Sequence, residues 1–503
     1  MVRSAIIIIL VNCCASLFSQ EFRFSRNFET RKKNIPVQII NNHPSYFHVL
    51  RINYVVHDIT IERRIKPSAE IVAFTPLKLD SVNASWFDYE NLDYILFEAN
   101  NKLYFLFEKV LNTKRTVYLK IIDTTGKSSG FIELANLESD KNTEAFHFNF
   151  SQTVNNNILM VASKTALNGI IRRVALLFST QKREIIWTKQ LPLENDIEIS
   201  SWSFTCNEKN DLLYLQSRSS IIGTETFGGI THTRTRLDSL VFCDWKASSA
   251  KTVYRPLNLS KGDYIRQGTI IPDSNAVVIS FLTTREDTIK NDWPEIIVNI
   301  KLDGASGKQI YNTSTNYDEE IRRQLTFYDG PQKESYFKNH QSIGNHVEHQ
   351  FAYSLFARSE KDYYKELLFR KTNLRNGEVV SQKIIPRKIF FFAGRTRYKN
   401  FAEPMVHFYG DSLKITLIEH ASNRGSEAGN YKYKTFKKLS GPRKASVVIY
   451  SLCADGVFKK KEIYRNSNYE LIPLNYYSTE QKDMVFYLNN SKFEKFAILQ
   501  MYQ

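Results

Sequence analysis

Apolar residues along this chain come in short runs, each closed by a polar turn, and almost no stretch repeats them at the 3.6-residue spacing of a helix. Tyr94-Ile95-Leu96-Phe97-Glu98-Ala99 is followed by Asn100-Asn101 and then Leu103-Tyr104-Phe105-Leu106-Phe107. The phrase returns as Phe146-His147-Phe148-Asn149-Phe150, a turn ending at Asn157, and Ile158-Leu159-Met160-Val161. A third copy runs Trp202-Ser203-Phe204, a turn ending at Asp211, and Leu212-Leu213-Tyr214-Leu215. Further copies turn at Asn275, near Asn345, at Asp411 and at Asp483, so successive turns lie 56, 54, 64, 70, 66 and 72 residues apart. Asn and Asp suit such turns because they tolerate left-handed backbone and bond their own main chain.

A second hairpin in each copy checks the period. Val117 to Ile122, a turn through Gly126, and Phe131 to Leu134 form one. Its counterparts are Val174 to Phe178 with Ile185 to Trp187, and Ile296 to Ile300 with Gly307 and Ile310-Tyr311. Leu367 to Phe369 with Gly377 and Val379-Val380, and Val447 to Tyr450 with Gly456 and Val457-Phe458, complete the set. About four strands per unit, repeated at this period, resembles the β-propeller architecture. The resemblance is one of pattern: there is no Trp-Asp dipeptide at unit ends, no kelch-type series of Gly-Gly pairs and no sialidase-like Asp box.

The expected fold is therefore all-β, a propeller of seven or eight four-stranded blades. Residues 36 to 78 offer strands for a further blade ahead of the seven counted units. The last unit ends in Phe496-Ala497-Ile498-Leu499, one strand short, and a strand within Phe22 to Phe28 is expected to complete it and lock the ring shut. A pair of β-sandwiches is the competing architecture, since short strands at regular spacing describe those too. The polar inserts Gly223 to Asp238 and Ala421 to Lys444 read as loops on one rim.

The N-terminus adds a compartment. Arg3, the apolar run Ala5 to Val11 and the small residues up to Ser19 have the order of a secretory signal, so residues 1–19 are expected to be removed and residues 20–503 to form a single propeller domain. Leu10-Val11-Asn12-Cys13 is a poor lipobox, because Asn12 stands where that motif needs Gly or Ala. The apolar run is too short to span a bilayer. Cys206, Cys243 and Cys453 remain in the mature chain, too few for a disulfide framework, and are read as buried thiols.

Little in the chain carries specific chemistry. Gly126-Lys127-Ser128-Ser129-Gly130 matches the serine-hydrolase elbow but has strands on both sides, so it reads as a hairpin turn. His340, His346, Glu348 and His349 are the one local group with metal-ligand chemistry, yet on a strand His349 points away from the other two nearby groups. A divergent polar strand explains them equally, and no metal or cofactor is expected. Glycosidase acids such as Asp80 or Asp318 to Glu320 have no supporting pattern.

Charge changes the picture more. The chain carries 68 Lys+Arg against 52 Asp+Glu, a formal +16. Between Lys383 and Arg465 there are 18 basic and 6 acidic residues, so +12 of that excess is local. Arg395, Arg397, Lys399, Lys432, Lys434, Lys437 and Lys438 stand among Tyr398, Phe401, Tyr431, Tyr433 and Phe436. Cations interleaved with aromatics attract polyanions and stack on sugars or bases, although lysines kept for solubility give the same run. An exported protein rarely meets intracellular nucleic acid, so the expected partner is an anionic polysaccharide, lipopolysaccharide or envelope protein. The reading is an exported binding or scaffold protein, with a propeller hydrolase or lyase as its rival.

Overall fold

The middle strands of the repeat are apolar on both faces, and this decides how the sheets assemble. Leu103, Tyr104, Phe105, Leu106 and Phe107 run consecutively and are all between 0 and 4% exposed. A strand buried on both sides needs a neighbouring sheet on each, and a closed ring of sheets supplies one to every member without leaving an end. The computed structural model describes residues 21–500 except 30–33, 54–57, 78–93, 112–113, 124, 139–144, 154, 167–168, 192–203, 228–229, 258–263, 274–275, 285–295, 317–338, 349, 361–362, 388, 391–403, 410–411, 424–444, 453–457, 466–467, 473, 478–482 and 491.

Eight sheets form the ring, and the chain is an eight-bladed β-propeller. The first blade is Asn34–Ile40, Tyr46–Asn53, Asp58–Ile65 and Ile71–Leu77. The second is Tyr94–Ala99, Lys102–Leu111, Lys114–Ile122 and Ile132–Glu138, and the third Ala145–Gln152, Ile158–Ala166, Gly169–Ser179 and Glu184–Leu191. Phe204–Cys206, Leu212–Phe227, Ile230–Lys246 and Lys251–Leu257 make the fourth. The fifth is Tyr264–Asp273, Ala276–Thr284, Ile296–Asp303 and Gln309–Asn316, and the sixth Asn339–Glu348, Phe351–Glu360, Tyr363–Asn373 and Val379–Ile385. The seventh is Met405–Tyr409, Ser412–His420, Ala445–Leu452 and Phe458–Arg465. First strands of neighbouring blades touch one another, which puts them at the centre of the ring. Each blade-to-blade junction has its own apolar cluster, such as Leu50, Ile59 and Ile61 against Leu96 and Phe105.

The eighth blade is completed from the other end of the chain, as the sequence requires. Glu470–Ile472, Asp483–Asn489 and Phe493–Gln500 are joined by Glu21–Phe24, which pairs antiparallel with the last of them from Glu21↔Gln500 to Phe24↔Ala497. A second seam forms at the centre, where Asn475–Tyr477 runs parallel to Gln38–Ile40 of the first blade. Between the two seams lies a buried ion network. Arg51 Nε donates to Glu62 Oε2 at 2.8 Å and its Nη2 to Glu494 Oε1 at 2.5 Å, while Arg64 Nη2 donates to Glu62 Oε2 at 2.6 Å. Tyr487 donates to Glu494 as well, and Arg64 lies over the rings of Phe28 and Phe496.

The repeat has a fixed left-handed position. Ala69, Gly126, Arg183, Ala250, Gly307 and Gly377, one in each of the first six blades, have positive φ in the turn between third and fourth strands. Three are the turn glycines expected from the sequence. At Gly377 (φ 77°) an added Cβ would lie 2.5 Å from the Tyr311 ring and 2.7 Å from Thr313 Oγ1 of the blade before it. Gly377→Ala therefore combines about 1–2 kcal/mol of left-handed strain with displacement of two packed side chains. We expect it to lower the denaturation midpoint clearly, whereas Gly130→Ala, with nothing within 4 Å of the new Cβ, should leave it unchanged.

Two expectations are corrected. The residues near Asn345 are not a turn, because Asn339–Glu348 is one strand paired from Asn339↔Ser359 to Glu348↔Phe351. Gly223 to Asp238 is not a loop either. The Leu212–Phe227 and Ile230–Lys246 strands stay paired out to Phe227↔Ile230, far beyond the Phe204↔Tyr214 pairing of the blade itself. This insert is a projecting two-stranded ribbon.

Candidate functional site

An antiparallel four-stranded blade puts its first and third turns at one face of the ring and its second turn and outgoing connection at the other. The first face is built of tight turns that hydrogen-bond across blades. Thr75 Oγ1 donates to the Gly126 carbonyl, Tyr104 to that of Thr180, Trp187 Nε1 to that of Asn210, and Thr313 Oγ1 to that of Gly377, at 2.8 to 3.1 Å. The opposite face takes the long connections and the projecting ribbon.

The seven basic residues singled out in the sequence, Arg395, Arg397, Lys399, Lys432, Lys434, Lys437 and Lys438, lie outside the described residues, as do residues 1–19 and Cys453. The strand ends that bound them are described. Met405 begins the first strand of the seventh blade opposite Thr416, and His420 pairs with Ala445, the residues between which the chain carries 431–438 in sequence. All three ends open on the long-connection face.

Part of the wider basic segment is internal. Arg387 is buried, and Lys460 holds Glu419 at 2.6 Å with both side chains under 5% exposed. Burial pushes the Glu419 carboxyl up to about 7 in spite of that lysine. Cys206 and Cys243 are buried thiols of the fourth blade, and burial raises the Cys206 thiol above its ordinary value. Ser128, the serine of the elbow pattern, bridges to Ile122 between the strands Lys114–Ile122 and Ile132–Glu138, with no helix following it, so Gly126 to Gly130 is a turn between strands rather than a catalytic elbow. Among the described residues no three of His, Cys, Asp and Glu are placed to hold a metal ion. His340, His346 and Glu348 lie on one inner strand, and His349 lies outside the described residues.

One polar group on the tight-turn face was not legible in the sequence. His43, Tyr46, His48 and Arg63 of the first blade gather where Glu98 comes in from the first strand of the second. Arg63 Nε donates to His48 Nε2 at 3.2 Å, and its guanidinium lies 4.7 Å from the Tyr46 ring centre. His43 stacks on that ring at 3.9 Å with 13° between planes. Burial, helped by Arg63 and His43, depresses the buried His48 to about 3, so it is neutral and able to accept. Burial raises Glu98 against the pull of Arg63, and burial with Glu98 raises Tyr46. Nearby, Lys66 is neutralised by Asp483 at 3.0 Å.

No protein-family model and no curated protein matches the sequence. Solved structures of similar shape are numerous but distant. The propeller of Dos1 aligns over 95% of this chain and 96% of its own, with 12% identity and a TM-score of 0.42. The polysaccharide lyase Uly1 aligns over 65% of this chain and 75% of its own, at 10% identity and a TM-score of 0.34. A prolyl endopeptidase aligns over 94% of this chain but 55% of its own, at 9% identity and a TM-score of 0.38.

Proposed function

We propose that this propeller is an exported, non-catalytic binding or scaffold protein of the cell envelope that holds an anionic polysaccharide on its long-connection face. The observation that carries the reading is the difference between the two faces. One is closed by tight turns bonded blade to blade, and the other takes the long connections of the ring. In sequence, Arg395 to Lys399 precede Met405 and Tyr431 to Lys438 fall between His420 and Ala445, and these described strand ends of the seventh blade open on that second face, although about thirty-five residues separate the two stretches in the chain. Clustered cations with interleaved aromatics suit an acidic glycan, whose charge meets the lysines and whose sugar faces meet the rings.

Binding of a sulfated or uronic-acid polymer should weaken steeply as salt rises. On linear polyanions each neutralised contact adds roughly 0.7–0.9 to the slope of log affinity against log salt, so a Lys432, Lys434, Lys437, Lys438→Ala variant should flatten that slope by about 3. Equal binding by both proteins, or binding indifferent to salt, would leave the lysines as solvation only. The rival enzymatic reading calls for acids and histidines converging at the channel. The group at His43, His48 and Glu98 comes nearest, but His48 is already engaged by Arg63 and the group sits between two blades rather than around the axis.

A further inference from the structure

The outermost strand of each blade ends its sheet, so one side of its backbone has no partner strand among the described residues. Such edges are ordinarily blunted by charge or proline, which stop another chain from pairing with them. Among the described residues, seven of the eight outermost strands carry one or the other, for example Pro76 in the first blade, Lys189 in the third and Lys383 in the sixth. Gln309–Asn316 of the fifth blade carries neither, and its Ile310 is 52% exposed.

What this strand carries instead is an Asn-x-Ser/Thr triplet. Asn312-Thr313-Ser314 is one of five in the chain, the others beginning at Asn83, Asn149, Asn258 and Asn489. Asn83 and Asn258 lie outside the described residues. Asn149 sits on the first strand of the third blade, at the centre of the ring, and Asn489 is buried at the end of Asp483–Asn489. Asn312 differs from both, because the pleat of the strand splits its triplet between two sides. Thr313 turns toward the sixth blade, where its Oγ1 donates to the Gly377 carbonyl at 2.9 Å, and the Tyr311 hydroxyl donates to the Leu374 carbonyl at 3.3 Å. Asn312 and Ser314, the two residues that define the triplet, are both exposed, as is Ile310 beside them. Pairing with Ile300 and Val298 fixes their register.

We propose that Asn312 is a site of N-linked glycosylation and that its sugar guards the uncharged edge of the fifth blade. The proposal rests on the export reading, since the sugar is added on the secretory route. In that step the Asn312 side-chain nitrogen attacks the anomeric carbon of a lipid-pyrophosphate-linked oligosaccharide. The nitrogen–carbon bond forms, the carbon–oxygen bond to pyrophosphate breaks with its electron pair leaving on the lipid carrier, and the amide gives one proton to a base. A bulky, hydrated group at this position projects from the exposed side and leaves Thr313 and Tyr311 in place against the sixth blade. It also shields Ile310 and denies the open edge to a second strand. At Asn489 the same group would have to fit inside a packed blade. The site uses none of the basic residues of the long-connection face.

Peptide mass spectrometry of the full chain, recovered after export from its own source, tests the site. Peptide N-glycosidase hydrolyses the sugar–amide bond and leaves aspartate, so the peptide holding position 312 should lose a sugar mass and read as aspartate there. Asn312→Gln and Ser314→Ala should each abolish that sugar, and Ser314→Thr should retain it. The N-terminal peptide of the same sample reports export independently. A chain beginning at Gln20 with a bare Asn312 would overturn the glycosylation site alone. A chain retaining Met1 with a bare Asn312 would overturn the export reading along with it. Sugar on Asn489 in place of Asn312 would also contradict the assignment. The guarding role is read by size-exclusion chromatography at rising protein concentration. Asn312→Gln should shift to larger species than the wild type, whereas Asn312→Lys, which puts a charge where the sugar was, should follow the wild type. Coincident elution of Asn312→Gln and the wild type would overturn that role.

Discussion

Replacing Arg51 by methionine should destabilise the ring by about 3–5 kcal/mol, the usual cost of removing one partner from a buried ionic network. Arg51 is the pivot of that network. It reaches Glu62 within its own blade and Glu494 in the eighth, and its Nη1 also donates to the Asn34 carbonyl at 3.1 Å. Two arginines and two glutamates balance, all of them at most 2% exposed. Without Arg51 a net negative charge is left in a junction closed to water. Burial works against ionisation of Glu62, but Arg51 and Arg64 outweigh it and hold its carboxyl below the ordinary value. Its stabilising contribution is therefore fully present above the unfolded carboxylate pKa and is lost as pH falls through the lower folded value. The variant should lose that acid sensitivity together with its stability. Unfolding entropy of about 2.1 cal/mol/K per residue makes the expected shift only ~1 °C per kcal/mol for a cooperative ring of this size, so a denaturant midpoint reads it better than a melting temperature. Arg51→Met combined with Glu494→Leu should be milder than Arg51→Met alone, because it restores the charge balance.

Much of this fold was written in the sequence because a propeller buries both faces of its middle strands. Continuous runs such as Leu103 to Phe107, closed by Asn100-Asn101, leave few alternatives, and both asparagines do adopt positive φ. The missing fourth strand of the last blade was legible for the same reason, since an apolar strand such as Phe496 to Leu499 cannot end a sheet unpaired. The pattern failed where polar residues pair with apolar ones. His340 to Glu348 has the composition of a turn, yet it lies in register against Phe351–Glu360 because an inner strand need satisfy only one partner strand. Ala69, Arg183 and Ala250 take the left-handed turn position without a glycine to announce it.

The candidate sites were less legible, because charge along a chain does not say which way a side chain points. Lys459-Lys460-Lys461 reads as one basic surface, but Lys460 is turned inward onto Glu419, with Nζ also donating to the Asn423 carbonyl at 2.8 Å. His43, Tyr46 and Arg63 are separated from Glu98 by a whole strand and a long connection, and none of the four belongs to a motif. Only the packing of one blade against the next brings them together. A histidine, a tyrosine and an arginine at the end of an otherwise apolar hairpin were the one available signal.

Removing the first strand should have the second large effect, and it bears on closure of the ring itself. Glu21–Phe24 covers the edge of Phe493–Gln500, and the pairing continues through the Ser25 amide to the Phe496 carbonyl at 2.8 Å and through Phe28↔Glu494. Asn27 accepts from the Tyr469 hydroxyl at 2.8 Å, and Phe28 covers Arg64 of the ion network. Loss of residues 20–29 thus bares a strand edge in the eighth blade and opens the one junction where distant parts of the chain meet. The most direct measurement compares denaturation of a chain beginning at residue 20 with one beginning at residue 30, each with and without a synthetic peptide of residues 20–29. A closed ring predicts a lower midpoint for the shorter chain, with the peptide restoring about 2.7 kcal/mol when present at a hundred times its dissociation constant. Superimposable curves for the two chains, with no response to the peptide, would contradict closure by the N-terminal strand.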